Sequence, residues 1–155
     1  MNSYKRLVPG FEAPAYVSWA GVNRSDLIRV PAYRPGREAS VRIEYRQPDP
    51  ACNPYLAFAA ILTAGLRGIE GNYAPVPPSD SDVALMSDDE RTARGIVALP
   101  QSLSEALALA ERSDLLREAL GDHIYLSLLE NKRIEVQRFR SVVTDYELAR
   151  YFPNL

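Results

Sequence analysis

The chain is expected to fold as α+β, a few strands and loops followed by a mainly helical remainder. Three observations carry that expectation. The first fifty of the 155 residues show turn and strand signals with little helical periodicity. Helix-start and helix-stop signals then follow one another from Asn53 to Pro153. Nowhere does strand alternate with helix in the βαβ order of a doubly wound sheet.

Pro9-Gly10 and Pro14 punctuate an opening loop, and Ala15 to Ala20 is apolar and aromatic enough for a strand. Asn23-Arg24-Ser25 reads as a turn and Leu27 to Val30 as a second strand. Pro35-Gly36 leads into a third, Val41 to Arg46, with Val41, Ile43 and Tyr45 on one face and Arg42, Glu44 and Arg46 on the other. Taken alone, that strand is an ordinary half-buried one with a solvated charged face. So few strands do not make a self-sufficient sheet, so they are expected to belong to a larger sheet or barrel, and the isolated chain is expected to self-associate.

Pro48 and Pro50 stop the strands, and Asn53-Pro54 pairs an N-cap with a first-turn proline. From Tyr55 to Ile69 nearly every position is apolar or small, which predicts a helix buried on all sides. Ala74 to Asp82 is a surface loop rich in proline, serine and aspartate. Ser102 with Glu105 forms a capping box, Ser113 caps Asp114 to Leu120, and Gly121 stops that helix. Asp122 opens the longest helix, and Thr144 with Glu147 caps a short final one ended by Pro153. The expected division is a strand and active-site-loop portion, residues 1–52, and a helical portion, residues 53–155.

At 46% hydrophobic the chain can bury one core and is too short for two ordinary domains. Met1 to Pro14 lacks the apolar run of a signal peptide and no stretch reaches membrane-span length, so a cytoplasmic location is expected. Cys52 has no second cysteine to pair with and is expected to be a buried structural thiol; His123 reads as a surface or interface residue. Residues 1–46 hold eight Lys/Arg against four Asp/Glu, although the whole chain carries only -2. Positive charge gathered on strands and turns suits a compact anion rather than nucleic acid or a membrane surface.

Arginine is the side chain for carboxylate and phosphate, because its planar fork donates paired hydrogen bonds and keeps its charge. Arg6, Arg24, Arg29, Arg42 and Arg46 supply five such groups, with Glu12 and Glu44 as the carboxylates among them. That set suits phosphoryl transfer, which depends on positioning and on neutralising phosphate charge. Glu44 between two arginines is kept ionised, suited to a metal rather than to proton donation. Glu12 lies on a Pro-Gly loop, where a lid carboxylate could close over a substrate.

Ordered blocks then make the reading specific: N-S-Y-K-R-L-V-P-G-F-E-A-P at 2–14, N-R-S at 23–25, I-R-V-P at 28–31, R-I-E-Y-R at 42–46 and P-D-P-A-C-N-P-Y-L-A-F-A-A at 48–60. With L-P-Q-S-L-S-E-A-L at 99–107 and T-D-Y-E-L-A-R-Y-F at 144–152, the chain resembles the C-terminal part of type I glutamine synthetase. The resemblance implies ATP-dependent joining of ammonia to L-glutamate through γ-glutamyl phosphate, with Mg²⁺ or Mn²⁺. It also implies a homo-oligomer of two stacked hexameric rings, a dodecamer, with contacts from the C-terminal segment.

Residue by residue, the resemblance implies that Arg6 and Arg46 hold the substrate glutamate and that Glu12 closes the site and takes the proton from ammonium. It places Arg24 on the transferring phosphate, Arg29 by the nucleotide phosphates, and Glu44 on the metal. The family's N-terminal domain, other metal ligands and much of its nucleotide pocket correspond to sequence upstream of Met1, so residues 1–155 alone are expected to be inactive. Where some members carry an adenylylated tyrosine, this chain has Ala84, so that control is not expected. Two other readings are a non-catalytic assembly or binding piece and a related glutamate-amine or polyamine ligase.

Overall fold

The computed structural model describes residues 3–11, 13–23, 25–79 and 81–154. A helical turn, α1 (Ser3–Arg6), precedes three two-residue strands, β1 (Trp19–Ala20), β2 (Ile28–Arg29) and β3 (Glu44–Tyr45). Five helices follow: α2 (Pro54–Glu70), α3 (Asp88–Ala93), α4 (Leu103–Ala110), α5 (Asp114–Arg140) and α6 (Asp145–Tyr151). This is an α+β arrangement. The chain divides into two compact units after Ser102, so α2 and α3 fold with the strands, and α4 to α6 form the second unit.

The sheet has the order β1-β2-β3, parallel between β1 and β2 and antiparallel between β2 and β3. Trp19, Ile28 and Tyr45 make one row across it, and Ala20, Arg29 and Glu44 the next. Ile28 N–H donates to Ser18 O at 3.1 Å and Arg46 N–H to Leu27 O at 2.9 Å, which extends the ladder by one row.

The third strand is shorter than the alternation of Val41 to Arg46 predicts. Residues Glu38–Ser40 form a 3₁₀ turn, and Pro31 ends β2 by removing the next backbone donor. Among the described residues Val41 and Ile43 then have no neighbouring strand, and they remain exposed. The first strand is cut for a different reason. Tyr16 bridges Ala98 while Trp19 pairs with Ile28, so Ala15 to Ala20 serves two partners in succession. The 76–79 segment lies on the outer edge of β1: Ser79 N–H donates to Trp19 O and the Trp19 indole N–H to Val76 O, each at 2.7 Å. A proline-rich segment thereby covers a strand edge.

The first unit buries Leu7, Pro14, Ala15, Ala20, Leu27, Val83, Met86 and Leu99. Arg91 ties α3 to it, donating to the carbonyls of Val83 and Met86 with its guanidinium 4.5 Å over the Tyr16 ring. Among these apolar residues lies one carboxylate, Asp26, with 0% exposure. Burial pushes its carboxyl above the ordinary range; the Ser18 hydroxyl and the Arg46 charge oppose that shift and Asp82 adds to it.

α2 begins as expected, with Asn53 Oδ1 accepting from Tyr55 N–H at 3.0 Å and Pro54 in the first turn. Its burial is not as expected. Tyr55, Phe58, Leu62, Leu66 and Ile69 are 48–83% exposed and, at helical spacing, share one face. The helix is half-covered on its other side, and no residue of it is buried. Cys52 also corrects the sequence reading: its thiol is free and exposed, because it sits in the turn that precedes the helix rather than inside it.

In the second unit Ser113 Oγ accepts from Leu116 N–H at 3.1 Å, and the Thr144–Glu147 capping box forms as the sequence predicts. Gly121 breaks α5 with φ 69°, ψ 156°, a conformation open to glycine and strained for other residues. The segment from Asp122 to Arg140 is therefore a helix of its own. Tyr125 and Leu129 are its buried residues, with Leu120 buried just before the break, and the Tyr125 hydroxyl donates to Ala110 O on α4 at 3.0 Å. His123 is exposed, as expected. No helix among the described residues is long and apolar enough to cross a membrane.

Two outcomes follow from this packing. The stability contributed by Asp26 is greatest where it carries its proton and is lost as pH rises through its elevated titration. Asp26→Asn is therefore expected to flatten that dependence and to raise stability at pH 8 by about 1–3 kcal/mol, read by thermal denaturation between pH 4 and 8. The exposed face of α2 is expected to make the 155-residue chain associate as concentration rises, and Leu62→Glu should weaken that association in light scattering.

Candidate active site

The candidate residues lie on the three short strands and the segments entering and leaving them. Glu44 is the best defined. Its Oε2 accepts from Arg29 Nη1 at 2.9 Å across the β2–β3 row, and its Oε1 accepts from Arg42 Nη2 at 3.1 Å. Partial burial raises the Glu44 carboxyl, and the adjoining Arg29 and Arg42 outweigh it, so the group is held below the ordinary glutamate range. The carboxylate is 30% exposed and open to solvent on one side.

Arg29 was expected to face phosphate, and here it also orients the carboxylate. Arg42, to which the sequence assigned no role, is the second clamp on Glu44. The signal for it was present: residues 42 and 44 share a strand face, and Arg42 sits two positions from the carboxylate it binds.

Arg46 lies one row further along the same ladder, through its N–H bond to Leu27 O. Arg6 approaches from the end of α1, where its Nη2 donates to Gln47 O at 2.7 Å, next to Arg46 in sequence. Nearby Asp49 is held below its ordinary range by the Ser3 hydroxyl first, then by the Ala51 N–H and the Arg6 charge. The guanidinium groups therefore fall into two sets. Arg29 and Arg42 gather on Glu44 at one end of the short sheet, and Arg6 and Arg46 are anchored at the other. Residues two apart on a strand stand about 6–7 Å apart, the scale of a small dicarboxylate or a phosphate group. Glu12 and Arg24 lie outside the described residues.

No group of three or more His, Cys, Asp or Glu is placed to hold a metal ion among the described residues. Glu44 fits a divalent cation as a single ligand: it is a hard, ionised oxygen donor, and Mg²⁺ is commonly held by one or two carboxylates with water and phosphate oxygens. The residue that sequence reasoning missed is Asp26, a carboxylate immediately before the strand segment Leu27 to Val30, with only that position as its signal.

The site residues sit on a short mixed sheet that carries clustered arginines and is followed by helices. Residues 1–151 match the family described as glutamine synthetase, catalytic domain, and the chain belongs to that family. It is 51% identical over 151 residues to glutamine synthetase of Mycolicibacterium smegmatis, covering 97% of this chain and 34% of that protein. It is 49% identical over 155 residues to glutamine synthetase of Methanosarcina mazei, covering 100% of this chain and 34% of that protein. The chain thus spans about a third of the length of these curated relatives.

Among solved structures, "Apo GmaS without ligand" superposes with a TM-score of 0.76 at 32% identity, covering 97% of this chain and 32% of that one. The cryo-EM structure of Plasmodium falciparum glutamine synthetase superposes with a TM-score of 0.78 at 24% identity, covering 97% of this chain and 37% of that one. That second likeness speaks to the fold.

Arg29→Ala is expected to move the Glu44 carboxyl titration upward, toward the ordinary glutamate range, because Arg29 is the stronger of its two opposing charges. Carbon-13 NMR of the Glu44 carboxyl against pH reads this; an unmoved titration would show that Arg42 suffices.

Proposed function

We propose that this chain forms one wall of the active site of an ATP-dependent glutamate–ammonia ligase. The observation that carries the reading is the ladder that seats Glu44 and Arg46 on one strand, with Arg29 opposite Glu44 and Arg6 anchored beside Arg46. Four of the six residues singled out by the family resemblance are described, and this one short sheet and its flanks hold all four.

In the proposed reaction the γ-carboxylate of L-glutamate attacks the terminal phosphorus of ATP, giving γ-glutamyl phosphate and ADP. Ammonia then attacks the activated carbonyl carbon and displaces phosphate, giving glutamine. Arg6 and Arg46 hold substrate carboxylate by charge-assisted hydrogen bonds, which keeps the attacking oxygen in place. Arg29 lies by the nucleotide phosphates, and Arg24 balances the charge that spreads over the transferring phosphoryl oxygens. Glu12 closes over the site, excludes water from the acyl phosphate and accepts the proton that ammonium gives up before it attacks. Glu44 supplies an anionic oxygen to Mg²⁺ or Mn²⁺, whose role when bound is to neutralise phosphate charge. Arg42 and Arg29 fix the carboxylate's rotamer, so Glu44 is oriented before any ligand arrives.

The proposed working form is a cytoplasmic homo-oligomer, a dodecamer in the family. Exposed apolar residues from Val142 to Phe152, among them Val143, Tyr146 and Tyr151, support contacts between subunits there.

Residues 1–155 by themselves are expected to form no glutamine from glutamate, ammonia and ATP, since one wall of a phosphoryl-transfer site leaves most of the phosphate charge unbalanced. Joined to the N-terminal two thirds of the Mycolicibacterium smegmatis relative, they should restore synthesis. In that enzyme Arg46→Ala and Glu12→Ala should each lower kcat/KM by about 100-fold or more. Full turnover by both variants would overturn the assignment.

A further inference from the structure

Two partners lay claim to Arg29. Among the described residues its side chain makes one hydrogen bond, from Nη1 to Glu44 Oε2 at 2.9 Å. The proposed reaction needs the same guanidinium at the nucleotide phosphates. Its Nε is buried and donates to no described residue. A guanidinium carries five donors in a fixed fork, and a buried donor without an acceptor costs stability. Glu44 therefore holds Arg29 in place and leaves most of its donors unused.

Arg42 differs on each point. Its Nη2 donates to Glu44 Oε1 at 3.1 Å and its Nη1 to Ser40 O at 3.2 Å. Its side chain is 57% exposed, against 29% for Arg29. Of the two clamps, Arg42 keeps an anchor if it loses Glu44, and Arg29 does not. Together they overcompensate the carboxylate, since one negative charge lies against two positive ones. A divalent cation approaching Glu44 is repelled by both guanidinium groups, and departure of either relieves that repulsion. The group with another acceptor to go to is Arg29. A phosphate can accept from two of its donors at once, where Glu44 accepts from one.

We propose that Arg29 is exchanged between two partners: it leaves Glu44 Oε2 when a divalent cation binds that carboxylate, and its fork then closes on the nucleotide phosphate. The proposal rests on the readings of Glu44 as a metal ligand and of Arg29 as a phosphate ligand. Arg42 keeps its hold on Oε1 and preserves the orientation of the carboxylate through the exchange. Nucleotide without metal finds Arg29 engaged by Glu44 and binds without its help. Metal without nucleotide breaks the Arg29 hydrogen bond and leaves the guanidinium no phosphate to receive it. Each ligand therefore favours the other through this one side chain, and the coupling is reciprocal.

Calorimetric titration with ADP tests this in the enzyme completed with the Mycolicibacterium smegmatis N-terminal segment, once with EDTA and once with saturating Mg²⁺. Arg29→Gln should lower ADP affinity about tenfold or more with Mg²⁺ and less than about twofold with EDTA. A phosphate clamp that never exchanges would lose as much affinity with EDTA as with Mg²⁺. Equal losses, or no loss in either condition, overturn the exchange. Glu44→Gln releases Arg29 in advance, so ADP affinity with EDTA should rise about three- to tenfold, and Arg29→Gln in that background should remove the rise. No rise, or a rise that persists without Arg29, also overturns the exchange, and the Glu44→Gln measurement decides it even where Arg29→Gln fails to fold. A completed wild-type enzyme that binds ADP and forms no glutamine would overturn the proposed function, with the exchange still decided by the ADP affinities. A wild-type enzyme that binds no ADP overturns both.

Discussion

The pairing of β2 with β3 is the constraint on which the rest of the site depends. Only two residue pairs define it, Ile28 with Tyr45 and Arg29 with Glu44. Because side chains alternate along a strand, a slip of one residue would move Glu44 away from Arg29 and turn Arg46 to the opposite face. The backbone bond from Arg46 to Leu27 guards against that slip at one end, and the Arg29–Glu44 ion pair does so at the other. The ion pair is partly exposed and contributes little to global stability. Its effect is on register and on the ionisation of Glu44.

So short a ladder is held from outside. The 76–79 segment pairs with the edge of β1, the 97–99 segment pairs with residues 15–17, and Arg91 gathers the carbonyls of Val83 and Met86. These contacts belong to segments that sequence patterning reads as loop or short helix. They explain how two-residue strands persist in a chain of this size. On α2 the large apolar residues Tyr55, Phe58, Leu62, Leu66 and Ile69 remain exposed.

Much of this was legible in the sequence because the relevant signals are local. Asn53-Pro54, Ser113 and Thr144 with Glu147 satisfy backbone donors within three residues of themselves, so their caps form wherever the rest of the chain packs. Gly121 was legible for the same reason. Strand length was not, since it depends on whether a partner continues: Val41 to Arg46 alternates as a six-residue strand, yet Pro31 ends the partner after two pairs. The burial of α2 and the exposure of Cys52 were not legible either, because both depend on which surfaces meet. For the site, the family blocks located the arginines and Glu44. The pairing of Arg42 with Glu44 follows from their shared strand face, and that of Arg29 with Glu44 emerged only from the register.

Asp26 marks where these levels of description conflict. An aspartate at the head of an apolar strand breaks the pattern of its neighbours, and its carboxylate remains without a hydrogen-bond donor among the described residues. Conflicts of that kind are expected at functional positions, where stability is exchanged for a property of the site. The site here is dominated by positive charge. A cluster of guanidinium groups that binds an anionic substrate too strongly lowers the starting complex as much as the transition state, and gains nothing in rate.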